Sequence, residues 1–178
     1  MEKSINPDIF KAYDIRGVYP SEINEEAAKN IGQALVQYTG AKKVVVGIDM
    51  RRSSTNLEKA LIEGITRQGA DVIRIGLSTT PMVYFASWKM DVDAAVVVTA
   101  SHNPAQYNGF KLCKKNAVPI GEGDGMEEIK NLAIVGNFVE SAERGKVNDD
   151  MDFRKKYFDY IANFFKKSGD SSTGKFIA

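Results

Sequence analysis

"VVVTASHNPAQYNGFKL", from Val96 to Leu112, is the stretch whose reading decides the fold. With the three residues before it, "DAAVVVTA" is an apolar run with almost no polar content, which is how a strand covered on both faces is written. At the far end, "YNGFKLCK" reads as a short strand that leaves a turn and pairs back onto the sheet, with Asn108 and Gly109 supplying the turn chemistry. Between the two lies a polar tip carrying Ser101, the chain's single histidine His102, and Asn103.

Upstream of that stretch the pattern alternates. "NEEAAKNIGQALVQYTG" puts Ala27, Ile31, Leu35 and Tyr38 on one helical face, with Asn24 as N-cap and Gly40 as stop. "KKVVVGID" is a buried strand, and "SSTNLEKALIEGITRQG" a helix with Leu57, Leu61 and Ile65 inward. "ADVIRIG" is a second strand, and "PMVYFASWKM" a helix with Pro81 in its first turn. Strands and helices in this order predict an α/β fold: a mixed, mainly parallel sheet sandwiched between helices. From Pro119 the composition shifts to "IGEGDGMEEIKNLAIVGNFVESAERGKVNDD", a helix with Asp124 near its cap and then a polar, Gly-bearing connection. A domain boundary is expected near Asn148, giving a first domain over 1–148 and the start of a second, similar one over 149–178. There "MDFRKKYFDYIANFFKKSG" is an amphipathic helix with Phe153, Tyr157, Tyr160, Ile161, Phe164 and Phe165 mostly on one side, and "GKFIA" opens a further strand.

Composition narrows the function. The chain has 178 residues and 24 Lys plus Arg against 23 Asp plus Glu, so its net charge of +1 gives no reason to expect nucleic acid or an anionic membrane as partner. Cys113 is the lone cysteine, which excludes an intrachain disulfide and reads as a reduced, inert core thiol. No stretch approaches the roughly 20 apolar residues of a membrane span, and "MEKSINPDIFKAYDIRG" has no apolar signal core, so the expected compartment is the cytoplasm.

Each of three strands runs into a loop rich in groups that can hold an anion: "GIDMRRSS", "GLSTTP" and "TASHNP". Loops at the carboxyl ends of parallel strands share one edge of an open α/β sheet, so these should converge. Two of them lead into helices whose free N–H groups favour phosphate, and Arg51 and Arg52 add charged donors. Neither G-x-G-x-x-G nor a Walker spacing is present, and "GEGDG" from Gly121 to Gly125 is acidic. Asp149, Asp150 and Asp152 read as the solvated, dipole-matched start of the following helix rather than a metal site. At Ser101 a hydrolase triad is disfavoured, since the G-x-S-x-G elbow and an acidic orienter are both missing. Phosphoryl transfer fits better, because it needs positioning and positive charge, which Lys111, His102, Arg16 and a metal could supply.

"TASHNPAQYNGFK" resembles the phosphoserine loop of the α-D-phosphohexomutases, the phosphoglucomutase and phosphomannomutase family. "FKAYDIRG" from Phe10 to Gly17, "GIDMRRSS" from Gly47 to Ser54 and "GLSTTP" from Gly76 to Pro81 are similar to that family's other first-domain motifs, in the same order. "AYDIRG" is closer to the bacterial phosphomannomutase/phosphoglucomutase branch than to phosphoglucosamine mutases, with their "GTDGIRG" type of opening.

The resemblance implies an enzyme that interconverts hexose 1-phosphate and hexose 6-phosphate, of mannose or glucose, through a phosphoserine and a bisphosphorylated sugar. Ser101 would carry the phosphoryl group and give one oxygen to Mg²⁺, with hexose 1,6-bisphosphate as activator. Lys111 would be general acid or base, Arg16 and His102 would support the phosphoryl group and the sugar oxygen, and Tyr13 and Asn103 would shape the substrate pocket with Arg16 and Lys111. The family's Asp-x-Asp-x-Asp-Arg metal loop, third-domain sugar loop and fourth-domain phosphate loop have no counterpart in the 178 residues. The chain is therefore expected to be a fragment that normally packs against later domains and is inactive alone. The rival expectation is a non-catalytic sugar-phosphate-binding or assembly module.

Overall fold

The Asn24 side chain accepts a hydrogen bond from the Ala27 N–H at 3.0 Å, and Gly40 closes the same helix in a left-handed conformation with its N–H on the Val36 carbonyl. These two caps delimit α1, Glu25–Thr39, at the ends expected from the sequence. The structure is a computed structural model and describes residues 5–167. After a short strand β1 (Ile15–Val18) and α1, the elements are β2 (Lys43–Ile48), α2 (Ser54–Arg67), β3 (Asp71–Leu77), α3 (Thr80–Lys89) and β4 (Ala94–Val98). They continue with β5 (Tyr107–Lys114), β6 (Val118–Pro119), α4 (Met126–Val135), β7 (Val147–Asp149) and α5 (Phe153–Lys167). The "GKFIA" strand expected from the sequence lies outside the described residues.

Among the described residues these strands form one mixed sheet in the order β1-β5-β4-β2-β3-β7, with β6 beside β5. From β4 through β2 and β3 to β7 the pairing is parallel, whereas β5 runs antiparallel to β4, β1 and β6. The apolar runs alternate between two cores. Val44, Val46, Val96, Phe110 and Leu112 face the layer of α1, α2 and α4, while Val45, Ala95, Val97 and Cys113 face α3 and Phe153 of α5. Every residue of β4 is buried, so its lack of polar side chains follows from cover on both faces. Burial also pushes the Cys113 thiol up from its ordinary pKa, in keeping with an inert core residue.

One local expectation is corrected and two details are added. Asn108 and Gly109 do not make a turn: they lie inside β5, paired with Gly17 and Arg16 of β1. Asn108 is fully buried on the same face as Phe110 and Leu112, and Gly109 is forced by the backbone of Ile15, whose carbonyl oxygen would overlap any Cβ there. Asp124 lies beside the α4 cap, as expected. The cap position is Gly125, and it is the Glu127 carboxylate that reaches back, accepting the Gly123 N–H at 3.0 Å. The polar connection ends in the sheet, with Val147–Asp149 as the edge strand β7 beside β3. Of the acidic cluster, Asp149 falls in β7 and pairs with Arg74 rather than opening the helix, and Asp150, ahead of α5, pairs with Lys156.

Candidate active site at the β4–β5 loop

The order β4-β2-β3 sets three loops side by side at the carboxyl ends of parallel strands. They converge as predicted. A cleft of about 610 Å³ is lined by Met50, Arg51 and Arg52 after β2, by Ser78, Thr79 and Thr80 after β3, and by Thr99, Ser101 and Asn103 after β4. Two helices, α2 and α3, begin at its wall, and neither Ser53 nor Thr79 uses its hydroxyl as a cap.

Ser101 stands at the exposed tip of the third loop with φ 54°, a left-handed conformation that a residue bearing a Cβ adopts rarely. Its N–H donates to the Thr99 hydroxyl at 2.9 Å, and its own hydroxyl lies 3.3 Å from His102 Nδ1. The two neighbouring side chains therefore meet, although adjacency in sequence gives no reason to expect it. Asn103 folds the tip over, its side-chain amide and its backbone N–H both donating to the Ala100 carbonyl.

A second cleft, of about 650 Å³, contains Tyr13, Arg16 and Asn103, with Lys11 and Asp14 beside them. Arg16 is held by an ion pair with Asp14, and its buried Nε has no partner within the protein. Lys111 lies on β5, paired with Val97 of β4, and its ammonium donates to the Tyr13 carbonyl at 3.4 Å. Asn103 lines both clefts, so it is the shared wall between the Ser101 loop and the Tyr13–Arg16 segment. Ser101 thus shares a cleft with Asn103, while Tyr13 and Arg16 share the other. His102 belongs to neither lining and touches Ser101 directly.

Two groups play parts not foreseen from the sequence. Arg51, expected as an anion donor, spends its guanidinium on the carbonyls of the Ser101 loop and on Asp49. Asn108 donates its side-chain amide to the hydroxyls of Ser53 and Ser54, at 2.8 and 3.0 Å, and so ties β5 to the start of α2. The period-two pattern of β5, which sets Asn108 in register with Phe110 and Leu112, is the signal that could have found it.

Among the described residues no group of three or more His, Cys, Asp or Glu could hold a metal ion. These residues do not complete a Mg²⁺ site: Ser101 offers a single exposed oxygen. No helix among them is long and apolar enough to cross a membrane.

Comparison with known proteins agrees with this geometry. Residues 7–139 match the model of phosphoglucomutase/phosphomannomutase alpha/beta/alpha domain I. A phosphomannomutase from Escherichia coli is 43% identical over 157 residues, which are 87% of this chain and 34% of that protein. A phosphomannomutase from Klebsiella pneumoniae is 44% identical over 152 residues, 84% of this chain and 96% of that sequence. The crystal structure of a phosphoglucomutase/phosphomannomutase family protein from Burkholderia thailandensis superposes with a TM-score of 0.79 at 34% identity, covering 89% of this chain and 36% of that one. The chain thus spans about a third of the length of the Escherichia coli relative. Because the matched span takes in every loop around Ser101, the chain belongs to the phosphoglucomutase/phosphomannomutase family, as its domain I.

Proposed function

We propose that this chain is the phosphoserine-bearing first domain (1–148), with the opening of the second (149–178), of a longer phosphohexomutase. That enzyme interconverts the 1- and 6-phosphates of mannose or glucose. The observation that carries this reading is the display of Ser101: an exposed hydroxyl in a left-handed conformation, next to His102, at a cleft that meets a second, Arg16-bearing cleft across Asn103.

In this mechanism the phosphorylated Ser101 is the activated species. The free hydroxyl of a hexose monophosphate attacks phosphorus, the P–Oγ bond of Ser101 breaks, and the hydroxyl proton passes to the Lys111 amine. The released Ser101 oxygen takes a proton from His102. After the bisphosphorylated sugar turns over, the Ser101 hydroxyl attacks the other phosphoryl group, its proton going back to His102, and Lys111 returns its proton to the sugar oxygen. Arg16 supplies positive charge where negative charge spreads over the transferring group, and Tyr13 and Asn103 shape the pocket for the sugar. Ser101 would give one oxygen to a Mg²⁺ ion, which would supply charge neutralisation there, with its remaining ligands coming from later domains. A cytoplasmic location fits substrates this highly charged, which do not cross bilayers unaided.

The full-length protein, incubated briefly with glucose 1,6-bisphosphate and Mg²⁺, is expected to gain a phosphoryl group that phosphopeptide mapping locates on Ser101. Phosphate on a different residue, or none on folded protein, would make the loop a sugar-phosphate-binding element without turnover.

A further inference from the structure

Arg51 is the most fully committed side chain near Ser101. Its Nη1 donates to the carbonyls of Pro104 (2.8 Å) and Tyr107 (3.0 Å), and its Nη2 to those of Ser101 (2.9 Å) and Asn103 (2.7 Å). Its Nε donates to Asp49 Oδ2 at 3.1 Å. Those bonds use all five donors of a guanidinium, and none is left over for a substrate phosphate. The side chain is only 12% exposed, so it lies beneath the loop rather than at the mouth of the cleft.

The base on which it stands is itself hydrogen-bonded to the sheet and to α2. Asp49 Oδ1 accepts the Arg51 N–H at 2.9 Å and the Ser54 hydroxyl at 2.6 Å, and the Asp49 N–H is bonded to the Val98 carbonyl at the end of β4. The loop's own bonds, Ser101 N–H to Thr99 and Asn103 to Ala100, shape its tip without attaching it to anything else. Among the described residues the other hydrogen bonds that cross to it reach only its base: the Thr99 N–H donates to the Gly109 carbonyl, the Tyr19 N–H donates to the Gln106 carbonyl, and Tyr107 pairs with Val18 of β1. What holds the tip from Ser101 to Pro104 against the sheet edge is therefore the Arg51 fork. A left-handed non-glycine residue persists only where its surroundings over-determine it, and Arg51 binds the carbonyl of that very residue.

We propose that Arg51 is a positioning residue for phosphoryl transfer: a five-donor clamp that holds the Ser101 loop in its reactive conformation and touches neither substrate nor phosphate. This deepens the reading of Ser101 as phosphoryl carrier and rests on it. Lysine cannot replace it, because a single ammonium has three donors on a flexible stem and cannot span four carbonyls.

The test uses Arg51→Lys, and Arg51→Ala with and without millimolar guanidinium, in the full-length protein. Amide exchange across residues 101–107 is expected to quicken by about tenfold or more in both variants while the exchange of β2 and β4 stays unchanged. kcat is expected to fall by about 10²-fold with KM for hexose 1-phosphate within about threefold, and guanidinium to restore part of kcat to Arg51→Ala. Asp49→Asn, which keeps the four carbonyl contacts and weakens only the anchor, gives a milder copy of both effects and serves should the Arg51 variants fail to fold. Unchanged exchange in the loop overturns the clamp. Faster exchange with wild-type kcat overturns its part in the reaction and leaves a purely structural tie. Failure of the wild-type protein to phosphorylate Ser101 would strike the underlying reading instead, and the exchange data would still decide the clamp.

Discussion

Ser101→Ala in the full-length protein is expected to lower kcat/KM by at least about 10³-fold, about 4 kcal/mol of transition-state stabilisation, while the fold is kept. The hydroxyl is the only atom removed. It is exposed, and its contact is the 3.3 Å approach to His102, so its loss leaves no buried group unsatisfied. Alanine carries the same Cβ into the left-handed conformation, and the Ser101 N–H bond to Thr99 and the carbonyl bond to Arg51 belong to the backbone and survive. Melting within about 2 °C of wild type and retained binding of hexose phosphate are therefore expected together with the collapse in rate. A variant keeping a tenth of wild-type turnover would rule out Ser101 as the carrier.

How much of this was legible in the sequence depends on where each residue's partners lie. The caps of α1 were readable because Asn24 and Gly40 act on their own helix. β2 and β4 were readable because cover on both faces leaves continuous apolar runs. The convergence of the three loops followed from the parallel order alone. Asn108 and Gly109 were misread because the dipeptide has strong local turn chemistry, whereas its actual role is set by Ser53, Ser54 and the Ile15 backbone, far away in the chain. Arg51 was misread for a related reason. Its acceptors are main-chain carbonyls some 50 residues downstream, and no side-chain pattern marks a carbonyl as a partner. An arginine in a loop rich in hydroxyls looks the same in sequence whether it faces an anion or clamps a neighbouring loop.

The second large effect is on stability. Gly64→Ala is expected to destabilise the chain by about 3 kcal/mol, lowering the melting temperature by about 6 to 12 °C. Gly64 lies on α2 where that helix presses on α1: a Cβ there would overlap the Lys29 carbonyl oxygen and come within 3.1 Å of the Gln33 nitrogen. The contact is mutual, since a Cβ at Gly32 of α1 would overlap the Leu61 carbonyl oxygen of α2. Both obstacles are backbone, so no rotamer change relieves them and the helices must part. Parting them loosens the packing of Leu61 and Ile65, which are fully buried in the larger core. Against this, alanine gains about 1 kcal/mol of helix propensity over glycine, which the overlap outweighs. Lys59→Ala, on the exposed side of the same helix, is the control and should melt within about 1 °C of wild type. Equal melting of the Gly64→Ala variant and this control would mean that the two helices sit further apart than described. The loss should also be global rather than local to the site. Gly64 is ten residues from Ser54, about 15 Å along α2, and the Asp49–Arg51 base that carries the Ser101 loop lies beyond that end. Folded Gly64→Ala protein should therefore keep wild-type protection of residues 101–107 below its melting transition, in contrast to every Arg51 variant.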